Sequence, residues 1–445
     1  MKKTLFALAL AAVVVMGCNK QVAGVYEKPE WFTNTAYFEE KNGMYEEMPI
    51  FPENIVFVGD DYIDRGIWNE FYGDTTIKNR GITYDATEHV MYRISKIAAG
   101  KPAKIFVSAG LNDLLHGTEA DVVAANVQKI FKEIARISPK TQAYWLNIVL
   151  SPVLSDAQKA EGEKVNQAVA AAAKNGKFEV IDVNDALKAG LADGTFSWDG
   201  GKYLNGAGYK AYAAAMESQV GKEALLEPAD IDDKIEVSDY YKHRVSMFRA
   251  LPRTEDKIVM LGNSLNNNAL WTELFPMGYV INRGVSGDVV EGVHQRLDEV
   301  VDDAPIKIFL ITATNDFVND STVTALAVWN KYEALIRDIR TKLPETILYV
   351  QSTLPLNPVS KFYPGFNQKA DELNKLLEAA SERYEYIYLD IASEMSDANG
   401  DLRREFTTDG IHLSALGYFQ WATILARGQR MIPDIATLVN KQKQD

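Results

Sequence analysis

The stretch KIVMLGNS, residues 257–264, has the form of a buried strand that ends at a glycine and enters a polar turn. A short apolar, β-branched run bounded by a turn residue is typical of a parallel strand covered on both faces. The stretch NIVFVGDD, residues 54–61, has the same form. Gly59 corresponds to Gly262, an offset of 203 residues, so one structural unit is predicted to occur twice.

Other motifs repeat in the same register. The triplet NRG at residues 79–81 recurs at 282–284, and Asn-Asp at 112–113 recurs at 315–316, both at the offset of 203. Near the ends of the units, Leu204 and Tyr209 match Leu413 and Tyr418 at an offset of 209. A period of about 200 residues is far longer than a solenoid repeat. The pattern therefore indicates a tandem domain duplication.

Each unit alternates predicted strands with predicted helices. Apolar residues recur at three- and four-residue intervals over 120–137 and 323–343, which indicates amphipathic helices. This alternation predicts the α/β class, as two tandem three-layer α/β/α domains of flavodoxin-like form with parallel sheets. The predicted strands are 55–58, 104–108, 143–149 and 178–183 in the first unit, and 258–261, 306–312, 347–352 and 386–391 in the second.

The N-terminus carries a targeting signal. Lys2 and Lys3 precede an apolar run that ends at Val-Met-Gly-Cys18, which resembles the lipobox of bacterial lipoproteins. The resemblance implies a signal peptide over 1–17, a lipidated Cys18 that binds a membrane, and a cell-envelope location, in the outer membrane of a Gram-negative bacterium. A signal peptide cut without lipidation is the alternative. The remaining predicted boundaries are a tether at 18–52, domains at 53–220 and 240–440, and a linker at 221–239.

Composition narrows the classes of partner. The net charge is −14 and no long basic stretch occurs, which disfavours nucleic acid as a partner. Cys18 is the only cysteine, so the chain has neither an internal disulfide nor a cysteine-based metal site. Four histidines, at positions 89, 116, 243 and 294, show no metal-ligand spacing and are interpreted as structural or exposed. We expect no metal and no organic cofactor.

The second unit has the residues of a serine triad. Ser264 directly follows the first strand, and ligands bind at the carboxyl ends of strands in open parallel sheets. Asp409 lies three residues before His412, close enough for its carboxylate to orient an imidazole that deprotonates a serine. Candidate donors to the oxyanion of acyl transfer are the backbone N–H groups of Ser264 and Gly284 and the Asn315 amide.

These blocks resemble the SGNH, or GDSL-type, hydrolases, which are named for a Ser, Gly, Asn and His. The four residues here are Ser264, Gly284, Asn315 and His412, with Asp409 completing the triad. The family's usual Gly-Asp-Ser has Asn263 at its centre in this chain, and its Gly-x-Asn-Asp begins with Ala313. Neither difference removes a catalytic group, so the resemblance implies a serine esterase.

The resemblance also implies a substrate class. The block QSTLPLN, residues 351–357, is similar to the acetylhydrolase and carbohydrate acetylesterase branch, which implies removal of acetyl groups from sugar hydroxyls. Acylated carbohydrates or other small esters are thus the expected substrates. A lipase or lysophospholipase is one alternative, and a non-catalytic glycan-binding lipoprotein is another.

The first unit lacks the same chemistry. Asp61 stands opposite Ser264, and either Tyr203 or Lys202 stands opposite His412, depending on the alignment. Gly81, Asn112 and Asp199 are the other equivalents, so part of a polar pocket is retained. We interpret this unit as a degenerate hydrolase domain that binds a glycan, covers the active site of its twin or only adds bulk.

Overall fold

The computed structural model describes residues 35–227, 238–253, 256–277 and 279–431. The predicted signal peptide and Cys18 lie outside these residues. Each unit contains one five-stranded, all-parallel sheet. The strands lie in the order Ile77–Gly81, Ile55–Gly59, Lys104–Ser108, Gln142–Leu146 and Glu179–Ile181 in the first unit, and Val280–Gly284, Ile258–Gly262, Lys307–Ile311, Ile347–Gln351 and Ile387–Leu389 in the second. This is the flavodoxin-like order, and helices cover both faces. The prediction of two α/β/α domains is confirmed.

The elements follow one another as the alternation predicts. The strands are β1 Ile55–Gly59, β2 Ile77–Gly81, β3 Lys104–Ser108, β4 Gln142–Leu146, β5 Glu179–Ile181, β6 Ile258–Gly262, β7 Val280–Gly284, β8 Lys307–Ile311, β9 Ile347–Gln351 and β10 Ile387–Leu389. The helices before β6 are α1 Thr35–Glu47, α2 Asp61–Asp64, α3 Trp68–Phe71, α4 Thr87–Ala99, α5 Leu111–Leu115, α6 Ala120–Ile137, α7 Asp156–Ala173, α8 Asn184–Ala192, α9 Gly206–Ala214, α10 Glu217–Val220 and α11 Asp239–Ala250. Those after it are α12 Ser264–Asn268, α13 Trp271–Leu274, α14 Val290–Gln295, α15 Asp298–Val301, α16 Thr314–Asn319, α17 Ala325–Lys342, α18 Phe366–Ala379, α19 Ala392–Met395 and α20 Ala415–Ala426, with 3-10 turns at Arg404–Phe406 and Arg427–Gln429. Among the described residues, no helix is both long and apolar enough to cross a membrane.

The edge strands β2 and β7 were not predicted. Each carries the sequence Asn-Arg-Gly at its end, which does not read as a buried strand. The arginines are nevertheless buried, with Arg80 at 0% and Arg283 at 2% exposed. Glu273 of the second unit pairs with Arg80, and Glu70 of the first unit pairs with Arg283, which also lies 3.5 Å from Asp303 of its own unit. The local sequence pattern contains none of these partners.

Two ion pairs at equivalent positions join the units. Arg80 Nη1 and Nη2 bond to the Glu273 carboxylate at 2.7 and 2.9 Å, and Arg283 Nη1 bonds to Glu70 at 2.9 Å. Because Glu70 and Glu273 are equivalent at the offset of 203, each pair is the other with the units exchanged. A contact in which residue i meets j and j meets i is the signature of two-fold symmetry.

The helices α1 and α11 also correspond at this offset. Tyr37 matches Tyr240 and Met44 matches Met247. Helix α11 packs against α9, and several of its apolar residues belong to the core of the first unit. Helix α1 packs against α20 of the second unit, where Met44 and Met48 join the core. The predicted tether over 18–52 is therefore wrong for residues 35–47, which form a helix between the units.

Candidate active site

Ser264 begins the short helix α12 directly after β6. At Gly262 an added Cβ would lie 1.8 Å from the Ile311 carbonyl oxygen, so the strand end admits only glycine. The Asn263 side chain accepts a hydrogen bond from the Leu265 N–H at 3.1 Å and caps the helix. Ser264 is 8% exposed. Its N–H occupies the first turn of a helix, where backbone donors have no intrahelical acceptor.

The predicted triad residues form a continuous hydrogen-bonded chain. Ser264 Oγ lies 3.1 Å from His412 Nε2, and His412 Nδ1 lies 2.8 Å from Asp409 Oδ2. The other oxygen of Asp409 accepts the N–H groups of Ile411 and His412, at 2.9 and 2.8 Å. One carboxylate thus fixes both the turn and the imidazole ring. This arrangement allows His412 to take a proton from Ser264.

The charges of the triad shift both pKa values. Burial would lower the pKa of His412, but its hydrogen bond to Asp409 and the negative charges of Glu40 and Asp409 outweigh burial and raise the pKa to about 9. Burial would raise the pKa of Asp409, but the hydrogen bond and charge of His412 dominate and lower it to about 2. The site therefore stabilises an imidazolium between carboxylates.

The predicted oxyanion donor Gly284 is already occupied. Its N–H donates to Asn282 Oδ1 at 2.8 Å, and an added Cβ would lie 2.3 Å from the Asn267 nitrogen. Gly81 repeats this arrangement, since its N–H donates to Asn79 Oδ1 at 2.8 Å. Both glycines allow a helix to approach the edge strand closely. The prediction that Gly284 donates its N–H to the oxyanion is therefore wrong.

The first unit indicates which groups of the second unit are placed to donate hydrogen bonds to the oxyanion. Asp61, opposite Ser264, has one carboxylate oxygen that accepts the Asn112 amide at 2.8 Å and the Tyr84 N–H at 2.9 Å. At the offset of 203, these donors correspond to the Asn315 amide and the Gly287 N–H. The first unit thus holds an anionic oxygen where the second would hold the oxyanion.

Gly287 has the backbone conformation that a donor to the oxyanion requires at this position. Its φ of +82° matches the φ of +66° at Tyr84, and nothing lies within 4 Å of an added Cβ. Asn315 Nδ2 donates to the Asp288 carbonyl at 2.8 Å, as Asn112 Nδ2 does to Asp85 at 3.0 Å. The sequence analysis missed Gly287, although its equivalence to Tyr84 follows from the repeat register.

The first unit has no histidine in the loop equivalent to that of His412. Lys202 and Tyr203 donate their N–H groups to Asp199 Oδ1 at 3.0 and 3.1 Å, as Ile411 and His412 do to Asp409. Tyr203 is therefore the equivalent of His412, with one extra residue in the turn. In this unit Asp61 thus replaces the serine and occupies the equivalents of the oxyanion donors, and Tyr203 replaces the histidine of the triad.

The remaining histidines lie outside the second unit's triad. His89 and His243 are buried, His116 is exposed and His294 is partly exposed. His243, on α11, has Nε2 3.6 Å from Asp199 Oδ1 in the degenerate site, a location that its sequence context did not predict. In the part of the chain that the structure describes, no group of three or more His, Cys, Asp or Glu side chains could hold a metal ion.

Comparisons with known proteins identify the family. The model of the GDSL-like Lipase/Acylhydrolase family matches residues 59–211 and 261–419. The platelet-activating factor acetylhydrolase IB subunit alpha1 of Pongo abelii is 26% identical over 170 residues, which cover 37% of this chain and 71% of the relative. The alpha2 subunit of Rattus norvegicus is 27% identical over 175 residues, which cover 37% and 72%. A GDSL-like lipase of Bacteroides thetaiotaomicron is 20% identical in a structural match that covers 45% of this chain and 98% of that one, with a TM-score of 0.37. Both units are matched, and the chain belongs to the GDSL-like lipase/acylhydrolase family of ester hydrolases.

Proposed function

We propose that the second unit is a serine esterase that removes acetyl groups from carbohydrate hydroxyls. Ser264 Oγ attacks the acyl carbonyl carbon while His412 Nε2 takes the hydroxyl proton. The N–H groups of Ser264 and Gly287 and the Asn315 amide stabilise the oxyanion. Collapse of the tetrahedral intermediate breaks the bond to the alcohol, which leaves with the proton from His412. Water, deprotonated by His412, then hydrolyses the acetyl-enzyme and releases acetate.

One observation carries this proposal. The unbroken hydrogen-bonded chain from Ser264 through His412 to Asp409 joins a nucleophile, a base and an orienting carboxylate. Membership of an acylhydrolase family supports ester cleavage by such a chain.

Two observations support acetyl groups and carbohydrate alcohols. The curated relatives in the comparison are named acetylhydrolases, which favours a short acyl group. The block at 351–357, similar to carbohydrate acetylesterases, ends at Asn357, whose N–H donates to the Gly410 carbonyl at 2.9 Å. This block therefore packs against the turn that carries Asp409 and His412, which supports its proposed part in substrate recognition.

The proposed location is the bacterial cell envelope. The lipobox-like segment that ends at Cys18 supports lipidation and anchoring to a membrane, with the outer membrane of a Gram-negative bacterium as the proposed site. An anchored esterase would meet polymeric or extracellular carbohydrate esters at the membrane surface.

The test compares acyl chain lengths on the purified chain without its lipid anchor. We expect p-nitrophenyl acetate to be hydrolysed faster than the butyrate and octanoate, and Ser264→Ala to abolish the activity. Ser393→Ala is the matched control, because Ser393 is exposed and its hydroxyl bonds to Asp390. A preference for octanoate would favour a lipase instead. An inert wild type would overturn the esterase proposal, and an active wild type that releases no acetate from acetylated glycans would overturn the carbohydrate assignment.

A further inference from the structure

Helix α1 is bound on one side by the first unit. Tyr37 donates its hydroxyl to Asp64 Oδ2 at 2.6 Å, and Lys41 Nζ lies 3.2 Å from Asp64 Oδ1. Tyr45 donates its hydroxyl to the Gly81 carbonyl at 2.7 Å. Because the ion pair is buried, these contacts fix the rotation of the helix about its axis.

An adjacent side of α1 presents a buried carboxylate to the second unit. Glu40 is 2% exposed and accepts a hydrogen bond from Asn268 Nδ2 at 3.0 Å. Asn268 is the last residue of α12, the short helix that Ser264 begins. On the same short helix, the Leu265 carbonyl accepts the Tyr418 hydroxyl of α20 at 3.0 Å. The first unit thus seats a carboxylate against the helix of the nucleophile.

The charge of Glu40 acts on the imidazole of His412. Burial raises the pKa of the Glu40 carboxyl, and the charges of His412 and Lys41 oppose that rise. Lys41 is already paired with Asp64. The negative charge of Glu40 therefore stabilises mainly the protonated imidazole of His412. His412 is hydrogen-bonded to Asp409 of its own turn and to Ser264 of α12, and the charge of Glu40 on α1 also raises the pKa of its imidazole.

The residue that corresponds to Glu40 in the other unit supports a role for Glu40 in the active site of the second unit. At the offset of 203, Glu40 corresponds to His243 on α11. His243 lies 3.6 Å from Asp199, the first unit's equivalent of Asp409. Helices α1 and α11 therefore each direct the same position toward the triad region of the other unit. In α1 this position is Glu40, which acts on His412, and in α11 it is His243, which lies beside Asp199.

We infer that Glu40 is a positioning residue for the esterase reaction, holding the Ser264 helix through Asn268 and stabilising the imidazolium of His412. The inference rests on the proposed function. It also gives the degenerate first unit a role, since that unit holds α1 against the active site of its twin.

The first test measures the pH dependence of acetate ester hydrolysis by the full chain. Glu40→Gln removes the charge and keeps the shape, so kcat should fall about tenfold and the acid limb of kcat/KM should move about one unit lower. The shift is downward because loss of a negative charge lowers the pKa of His412. Glu47→Gln, exposed on the same helix, is the matched control and should change neither.

Glu40→Asp keeps the charge but shortens the reach to Asn268. The Glu40→Asp variant should therefore have a lower kcat but an unchanged acid limb of kcat/KM. If Glu40→Gln does not fold, Glu40→Asp still tests whether Glu40 positions the Ser264 helix. A Glu40→Gln variant with an unchanged acid limb, or a Glu40→Asp variant with unchanged kcat, would overturn the inference.

A second readout separates this inference from the proposed function. Titration of ¹³C-labelled histidines by NMR, with the His412 signal assigned by its loss in His412→Gln, measures the pKa without any ester. A lower pKa of His412 in Glu40→Gln supports the inference, and an unchanged pKa overturns it. If the wild type hydrolyses no ester, the proposed function fails while this titration still decides whether Glu40 acts on His412.

Discussion

Arg80 and Glu273 form a two-bonded ion pair across the boundary between the two units, at 2.7 and 2.9 Å, with the Arg80 side chain wholly buried. The pair of Arg283 and Glu70, at 2.9 Å, is its counterpart with the units exchanged. Contacts of this reciprocal kind arise at isologous interfaces. One polypeptide thus contains the contact geometry of a symmetric dimer, and the second unit's active site is built within that geometry.

Removal of one partner of this pair should destabilise the protein strongly. Glu273→Ala leaves the buried guanidinium of Arg80 without its counter-charge, so the free energy of unfolding should fall by about 3–5 kcal/mol. Urea unfolding measures the change. The double variant Arg80→Met with Glu273→Leu should recover most of the loss, because neither charge is then left unpaired. A single variant as stable as the wild type would show that the pair does not hold the units together.

The two asparagines at equivalent positions should differ in their effect on catalysis. Asn315→Ala removes a donor to the oxyanion and should lower kcat by about 10²–10³, with a smaller change in KM. Asn112→Ala removes the equivalent amide in the first unit and should leave ester hydrolysis unchanged. Steady-state kinetics on p-nitrophenyl acetate compare them. Equal losses in the two variants would contradict the assignment of the oxyanion hole.

The activity should require alkaline pH. Only the neutral imidazole of His412 can accept the Ser264 proton, so activity rises as pH increases through the pKa, which is about 9. Asp409→Asn removes a negative charge that raises this pKa, so its residual activity should show an acid limb at lower pH. A kcat/KM profile measures both. A wild-type limb centred at the ordinary histidine value of 6.5 would contradict the charge arrangement.

The carboxylate in the first unit should have no part in ester hydrolysis. Asp61→Ala frees the Asn112 amide and the Tyr84 N–H but introduces no nucleophile, so kcat and KM should stay at their wild-type values. Asp61→Ser should also add no activity, because Tyr203 stands where the second unit has the His412 imidazole. Kinetics of each variant in a Ser264→Ala background give the clearest comparison. Hydrolysis restored by Asp61→Ser would show that the first unit retains a functional base.

The duplication and the triad could be predicted because each depends on local sequence. A strand that ends at Gly262 and Ser264, and the spacing of Asp409 and His412, are visible without tertiary context. The structure adds only their convergence at one edge of the sheet. The repeat register also contained the equivalence of Gly287 and Tyr84, but the positive φ that they share is a property of the fold.

The missed features depend on contacts between the units. The strands β2 and β7 contain arginines that pair with glutamates across the interface, and Arg283 also pairs with Asp303 of its own unit. Their sequences therefore do not resemble buried strands. Helix α1 reads as polar because Glu40 and Lys41, both buried, are satisfied by opposite units. Local patterns cannot reveal partners more than 200 residues away, as Asn268 is from Glu40.

The central claim is that Ser264 is an activated nucleophile and the chain's single catalytic serine. Labelling of the full chain with a fluorophosphonate, followed by mass spectrometry of the digest, measures this directly, because the probe reacts with a serine whose proton a base accepts. We expect one adduct per chain, on the peptide that contains Ser264, and none in the Ser264→Ala or His412→Gln variants. Absence of labelling in the wild type, or an adduct on a serine of the first unit, would contradict it.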